Sequence, residues 1–123
     1  MGLDMYAFTT SLSPTSPVDF EIDCDGATEL HYWRKHPDLH GWMEQLYRKK
    51  GGRDPHFNMN VVALTKGDIE QLRCDIENRR LPGTTGFFFG QSRPEDIIGD
   101  LVFILEAQAA LAKGLTVFYT SWW

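Results

Sequence analysis

The chain has 123 residues, of which 42% are hydrophobic, 24% charged and 13% aromatic, and its formal net charge is −5. That length suits one domain spanning residues 1–123, able to bury roughly two thirds of its unfolded surface without a disulfide or a metal as a staple. The negative charge repels phosphate backbones and anionic membranes, so neither nucleic acid nor a membrane is expected as a partner.

Residues 1–8 alternate Leu3, Met5 and Ala7 against Asp4, Tyr6 and Phe8, the period of a strand with one dry face. Residues 9–25 are rich in Ser, Thr, Pro and Asp. Pro14 and Pro17 cannot donate to a ladder, so the segment reads as a loop with a short edge strand around residues 18–22. The pattern then turns helical, with Leu39, Trp42, Met43 and Leu46 at helical spacing. Pro37 divides this stretch into a helix over residues 28–35 and a second one starting near Pro37 and ending at Gly51-Gly52.

Residues 57–64 predict a strand, apolar at both Val61 and Val62 and therefore central. Thr65 followed by Asp68 is an N-cap signature for a helix through Asn78 with Ile69, Leu72 and Ile76 inward. The Phe87-Phe88-Phe89 run after Gly83-Thr84-Thr85-Gly86 predicts a turn feeding a short buried strand. Ser92 and Glu95 form a second capping-box signature for the longest helix, whose stripe is Ile97, Leu101, Ile104, Leu105, Gln108 and Leu111, and which closes at Lys113-Gly114. Residues 115–122 are a β-branched and aromatic strand. The predicted fold class is α+β: two layers, with a small, mainly antiparallel sheet of three or four strands covered on one face by about three helices.

Few residues offer chemistry. Were residues 28–44 one kinked helix, His36, His40 and Glu44 would share a face and could hold a metal; the alternative is that His36 shapes the break before Pro37 and His40 bonds within a half-buried cluster. No metal or other cofactor is expected. Arg34 and Lys35 beside Tyr32 could clamp an anion, or simply be solvated. The Thr84-Thr85 turn could offer amides and hydroxyls to an anion, but no Gly-Lys-Ser/Thr follows and no nucleotide loop is present. Cys24, between Asp23 and Asp25, is a poor nucleophile because flanking carboxylates raise a thiol's pKa. Two cysteines far apart, no leader pattern and no long apolar run point to a cytoplasmic protein with reduced thiols.

The segments at residues 1–6, 29–35 (Glu-Leu-His-Tyr-Trp-Arg-Lys), 40–42 (His-Gly-Trp), 81–90 (Leu-Pro-Gly-Thr-Thr-Gly-Phe-Phe-Phe-Gly) and 118–122 (Phe-Tyr-Thr-Ser-Trp) together resemble a family of small uncharacterised proteins of bacteria and their phages. The order of the segments is the same across nearly the whole chain. Gly83 interrupts the family's Pro-Thr-Thr segment, and His36-Pro37-Asp38 replaces a continuous helical stretch, so His36 falls outside the pattern while His40 falls within it. The resemblance implies a residue list and no activity.

Taken together, Asp4, Tyr6, Tyr32, Arg34, His40, Trp42, Thr84, Thr85 and Phe88 are expected to surround one groove at the sheet edge. Two functions fit such a groove. One is a non-enzymatic, phage-related accessory protein that docks on a protein partner through aromatic and arginine anchors. The other is a small enzyme or sensor for an anionic phosphate or carboxylate ligand, with His40 as acid or base.

Overall fold

The computed structural model describes residues 2–22 and 24–123. Met1, Asp23 and the Cys24 side chain, on which the start of the first strand and the reading of the Cys24 thiol rest, lie outside the described residues. Strand β1 (Asp4–Thr10) shows the expected alternation, because Leu3, Met5 and Ala7 are fully buried while Asp4, Tyr6 and Phe8 face the other way. After it come β2 (Ala27–Arg34), α1 (Pro37–Lys49), β3 (Val61–Leu64), α2 (Lys66–Glu77), α3 (Asp96–Ala112) and β4 (Thr116–Trp122). The sheet runs β2-β1-β4-β3 with every neighbour antiparallel, and the helices lie on one face of it. The protein is thus a two-layer α+β fold, with four strands and three α-helices among the described residues.

The layers meet in one core. Met5, Ala7, Trp33, Val62, Val117 and Tyr119 on the sheet pack against Leu39, Met43, Ile69, Leu72, Phe103 and Ile104 on the helices. Burying a side chain of this size stabilises by about 1.5–3 kcal/mol, so this interface is the main source of stability.

Residues 27–34 form strand β2 and not the expected helix. Met5 stands opposite Trp33 and Tyr6 opposite Tyr32, with a bulge between Ala7 and Phe8. The inner strand β1 needs hydrogen-bond partners on both edges. The Thr, His, Tyr and Trp of this segment suit a pleated surface better than a helix, and Trp33 joins the core while Tyr32 and Arg34 face outward. Lys35 then turns the chain with φ 55°, and Pro37 occupies the first turn of α1 as expected.

Strand β3 is shorter than expected and lies at an edge, not at the centre. Phe57 and Met59 adopt positive φ (44° and 64°), which ends the ladder before residue 61. Its outer edge is covered by the loop after β1, since Asp19 N donates to Val61 O at 2.9 Å and Ala63 N to Pro17 O at 2.9 Å. The edge strand expected at residues 18–22 is reduced to the single bridge from Val18 to Val62.

Helix α2 carries the expected capping box. Asp68 N donates to Thr65 Oγ1 at 3.1 Å, and Thr65 N to Asp68 Oδ2 at 2.8 Å. The box expected from Ser92 and Glu95 does not form. Glu95 occupies the cap position of α3 without a side-chain bond, and Arg93 N is satisfied by Asp96 Oδ2 at 2.7 Å. The inward face of α3 consists of Asp100, Phe103, Ile104, Ala107 and Ala110, whereas Leu105, expected inward, is 67% exposed beside Ile98 and Val102. Among the described residues no helix is long and apolar enough to cross a membrane.

Candidate functional site

The Phe triplet is a tight turn and not a strand. Phe89 N donates to Gly86 O at 3.2 Å, which leaves Phe87 95% exposed at the tip and Phe89 buried. Phe89 meets the His40 ring at 5.1 Å and the Trp123 ring at 5.1 Å, while Phe88 O accepts from Leu3 N at 3.2 Å. A single run of three identical residues therefore supplies one core anchor and one exposed tip.

The residues expected around one groove do not all meet: Asp4, Tyr6, Tyr32 and Arg34 lie on one side of the sheet and His40 on the other. On the face away from the helices, Tyr32 Oη donates to Asp4 Oδ1 at 2.6 Å, Arg34 Nε lies 3.7 Å from the same oxygen, and the Tyr6 and Tyr32 rings are 5.2 Å apart. The hydrogen bond to Asp4 pushes the Tyr32 hydroxyl up to about 12, because the bond favours the neutral phenol. Burial raises that of Tyr6, with the Asp4 and Glu29 charges adding to the effect.

On the helix side, His40 is 1% exposed, and its Nδ1 lies 2.7 Å from Tyr119 Oη. Its ring lies between Phe57 at 4.9 Å and Phe89 at 5.1 Å, and burial lowers its pKa to about 4. Burial also lifts the Tyr119 hydroxyl well above its ordinary value. Such an imidazole stays neutral at pH 7 and is sealed from solvent. Thr84 packs against Gly41, the residue after His40 on α1: a Cβ there would lie 1.9 Å from Thr84 Oγ1, so only glycine admits this contact. Thr84 N donates to Asp38 Oδ1 at 3.1 Å and its hydroxyl to Pro82 O at 2.9 Å, while Thr85 is exposed. Trp42 donates to Asp75 Oδ2 at 2.9 Å, in a separate cluster with Gln71 and Arg80.

A cavity lies elsewhere, where the N-termini of α1 and α3 meet the C-terminal end of α2. It encloses about 340 Å³, within the range of small-ligand sites. Ile76, Leu81 and Ile97 form its apolar wall. The polar wall is one connected chain. Ser92 Oγ lies 2.7 Å from His36 Nδ1, His36 Nε2 lies 2.8 Å from Asp100 Oδ2, and Trp33 Nε1 donates to Asp100 Oδ1 at 3.1 Å. With the imidazole proton on Nε2 toward Asp100, Nδ1 carries a lone pair that accepts the Ser92 hydroxyl, and Ser92 Oγ in turn accepts from Asp38 N at 3.0 Å.

Each carboxylate around the cavity is already engaged. Asp100, 1% exposed, accepts from His36 and Trp33; Asp38 accepts from Thr84 N; Asp96 accepts from Arg93 N and lies 3.7 Å from both His36 Nδ1 and the Arg93 guanidinium. A buried carboxylate is tolerated only when its oxygens are satisfied in this way. Arg79, exposed at the rim, makes no ion pair or side-chain hydrogen bond among the described residues.

His36 thus faces Ser92 and Asp100 and shares no helical face with His40. Among the described residues no three His, Cys, Asp or Glu side chains are arranged to hold a metal ion. Sequence reasoning assigned Ser92 to the wrong helix and passed over Asp100 and Arg79 as site residues. One signal for Asp100 was present: it falls on the inward stripe with Phe103, Ile104 and Ala107, where a carboxylate needs partners. No family model, no curated protein and no solved structure matches the chain.

Proposed function

We propose that the protein is a small enzyme or sensor whose ligand is a carboxylate-bearing small molecule, held in the cavity between the ends of α1, α2 and α3. The observation that carries this reading is the pairing of Arg79, unpartnered among the described residues, with a fully bonded Ser92, His36 and Asp100 chain across one cavity. Arg79 suits the ligand's charged head, since a guanidinium fork matches a carboxylate, and Ile76, Leu81 and Ile97 suit a short apolar body. Three carboxylates line the same space, so a singly charged head is favoured over a phosphate dianion.

Docking on a protein partner through the aromatic patch has less support. The exposed aromatics Tyr32, Phe87 and Trp122 stand on separate segments, and Phe87 by itself offers about 200 Å² of side-chain surface, against the roughly 800 Å² per partner that a stable interface takes. The cavity is therefore the stronger reading, with His36 in the place sequence reasoning gave to His40.

A thermal-shift screen of small monocarboxylates, dicarboxylates and phosphate tests it. A ligand at ten times its Kd stabilises by about 1.4 kcal/mol, which raises the midpoint by on the order of 5 °C in a domain of this size. The expected result is a shift with carboxylates that Arg79→Ala removes. No shift with any anion, or an equal shift in Arg79→Ala, would reject the proposal.

A further inference from the structure

We infer that Ser92 is a nucleophile and that Ser92, His36 and Asp100 act together to cleave a carboxylic ester by acyl transfer, an inference that rests on the cavity being the ligand site. The geometry is that of a nucleophile, its base and the carboxylate that orients the base, within 2.7 Å and 2.8 Å of one another. The ring nitrogens are used in the reverse of the commoner order, with Nδ1 toward the serine and Nε2 toward the carboxylate. The proton inventory is unaffected by that exchange.

A simple capping serine would need far less. To satisfy the first turn of α1, Ser92 Oγ has only to accept from Asp38 N. Nothing in that task requires an imidazole on the other side of the hydroxyl, nor a carboxylate at 1% exposure on the inward face of an apolar helix, aligned by Trp33. Ser92 also lines the cavity and is not sealed behind its wall.

In the reaction, Ser92 Oγ attacks the ester carbonyl carbon, forming the Oγ–C bond while its proton passes to His36 Nδ1. Asp100 holds the resulting imidazolium through Nε2–H. The Asp38 amide, which donates to Ser92 Oγ, fixes the position of the attacking oxygen. Collapse breaks the bond between carbonyl carbon and alcohol oxygen, and the departing alcohol takes the proton from Nδ1. Water then attacks the acyl-serine, giving its proton to Nδ1; expulsion of Ser92 Oγ returns that proton to the hydroxyl and releases the acid. His36 and Ser92 are the catalytic residues. Asp100 is a positioning residue.

The test uses the full chain and a fluorophosphonate probe, which a nucleophilic serine captures by forming an O–P bond with loss of fluoride. The expected result is one adduct per chain, mapped to Ser92 by peptide mass, absent in Ser92→Ala and formed at least ~100-fold more slowly in His36→Gln. Wild-type protein labelled at another residue, or unlabelled while still folded, would overturn the inference whether or not any variant folds. With mono-p-nitrophenyl succinate as ester, Asp100→Asn should lower kcat with little change in KM, which a purely structural role would not do. A carboxylate that stabilises the protein without any Ser92 adduct would reject the nucleophile and leave the binding proposal standing. A Ser92 adduct with equal KM for p-nitrophenyl acetate and the succinate ester, unchanged in Arg79→Ala, would uphold the nucleophile and reject the carboxylate class.

Discussion

Replacing His40 with glutamine should remove a specific part of the protein's acid sensitivity. In the folded protein the His40 pKa is lowered to about 4 from an ordinary 6.5, because burial penalises the charged ring. Above pH 6.5 the ring is neutral in both folded and unfolded chains and contributes no pH dependence. Between pH 6.5 and 4 the unfolded chain binds a proton that the folded one refuses, so stability falls as the pH falls; below 4 both forms are protonated and the loss levels off. A difference of about 2.5 units at 1.36 kcal/mol each gives a loss of about 3 kcal/mol. His40→Gln keeps a hydrogen-bonding partner for the Tyr119 hydroxyl while removing the titration. Urea unfolding followed by tryptophan fluorescence at intervals from pH 7 to 4 would measure both proteins, and subtracting the curves cancels the carboxylates they share. Wild type should lose about 3 kcal/mol relative to the variant across that window. Parallel curves would refute the reasoning and return His40 to the list of accessible acid–base groups.

Four further substitutions probe the packing described above. Asp100→Ala strands the Trp33 and His36 donors in the core and should cost about 3 kcal/mol by chemical denaturation, in the range for breaking a buried charged pair. Gly41→Ala places a methyl group against Thr84 Oγ1 and, at 2.9 Å, Thr84 Cβ, so α1 and the Thr84 segment must separate; the expected cost is about 1–3 kcal/mol. Phe87→Ala should change stability by less than about 0.5 kcal/mol while Phe89→Ala costs about 3–5 kcal/mol, and equal costs at the two positions would contradict the turn.

Where a local pattern had one physical solution, it could be read from sequence. The Thr65 and Asp68 box, Pro37 in the first turn of α1, and the dry face of Leu3, Met5 and Ala7 are all of this kind. Residues 27–34 had two solutions. Leu30 and Trp33 are three apart, which a helix accepts, yet Tyr32 and Arg34 are two apart, which a strand accepts. Only the unpaired edge of β1 decides between them.

Ser92 shows the same limit at the site. Its spacing from Glu95 is that of a cap for the helix it precedes, but its hydroxyl caps α1, 54 positions earlier in the chain. A capping pattern specifies a need for donors and acceptors, and tertiary structure decides which helix end supplies them. Asp4 and Tyr6 meet Tyr32 and Arg34 through the pairing of β1 with β2, which a helix over residues 28–35 would not provide, and that they lie on the face opposite His40 depends on the register of β2 with β1.

The most direct test of the cavity as the ligand site is an NMR titration of the isotope-labelled protein with butyrate. The shifts should concentrate on the Ser92 and Arg93 amides, the His36 ring and the Arg79 side chain, and leave Tyr6, Tyr32, Arg34 and the His40 ring unmoved. Shifts centred on the Tyr32 and Arg34 face, or no shifts at all, would contradict the assignment.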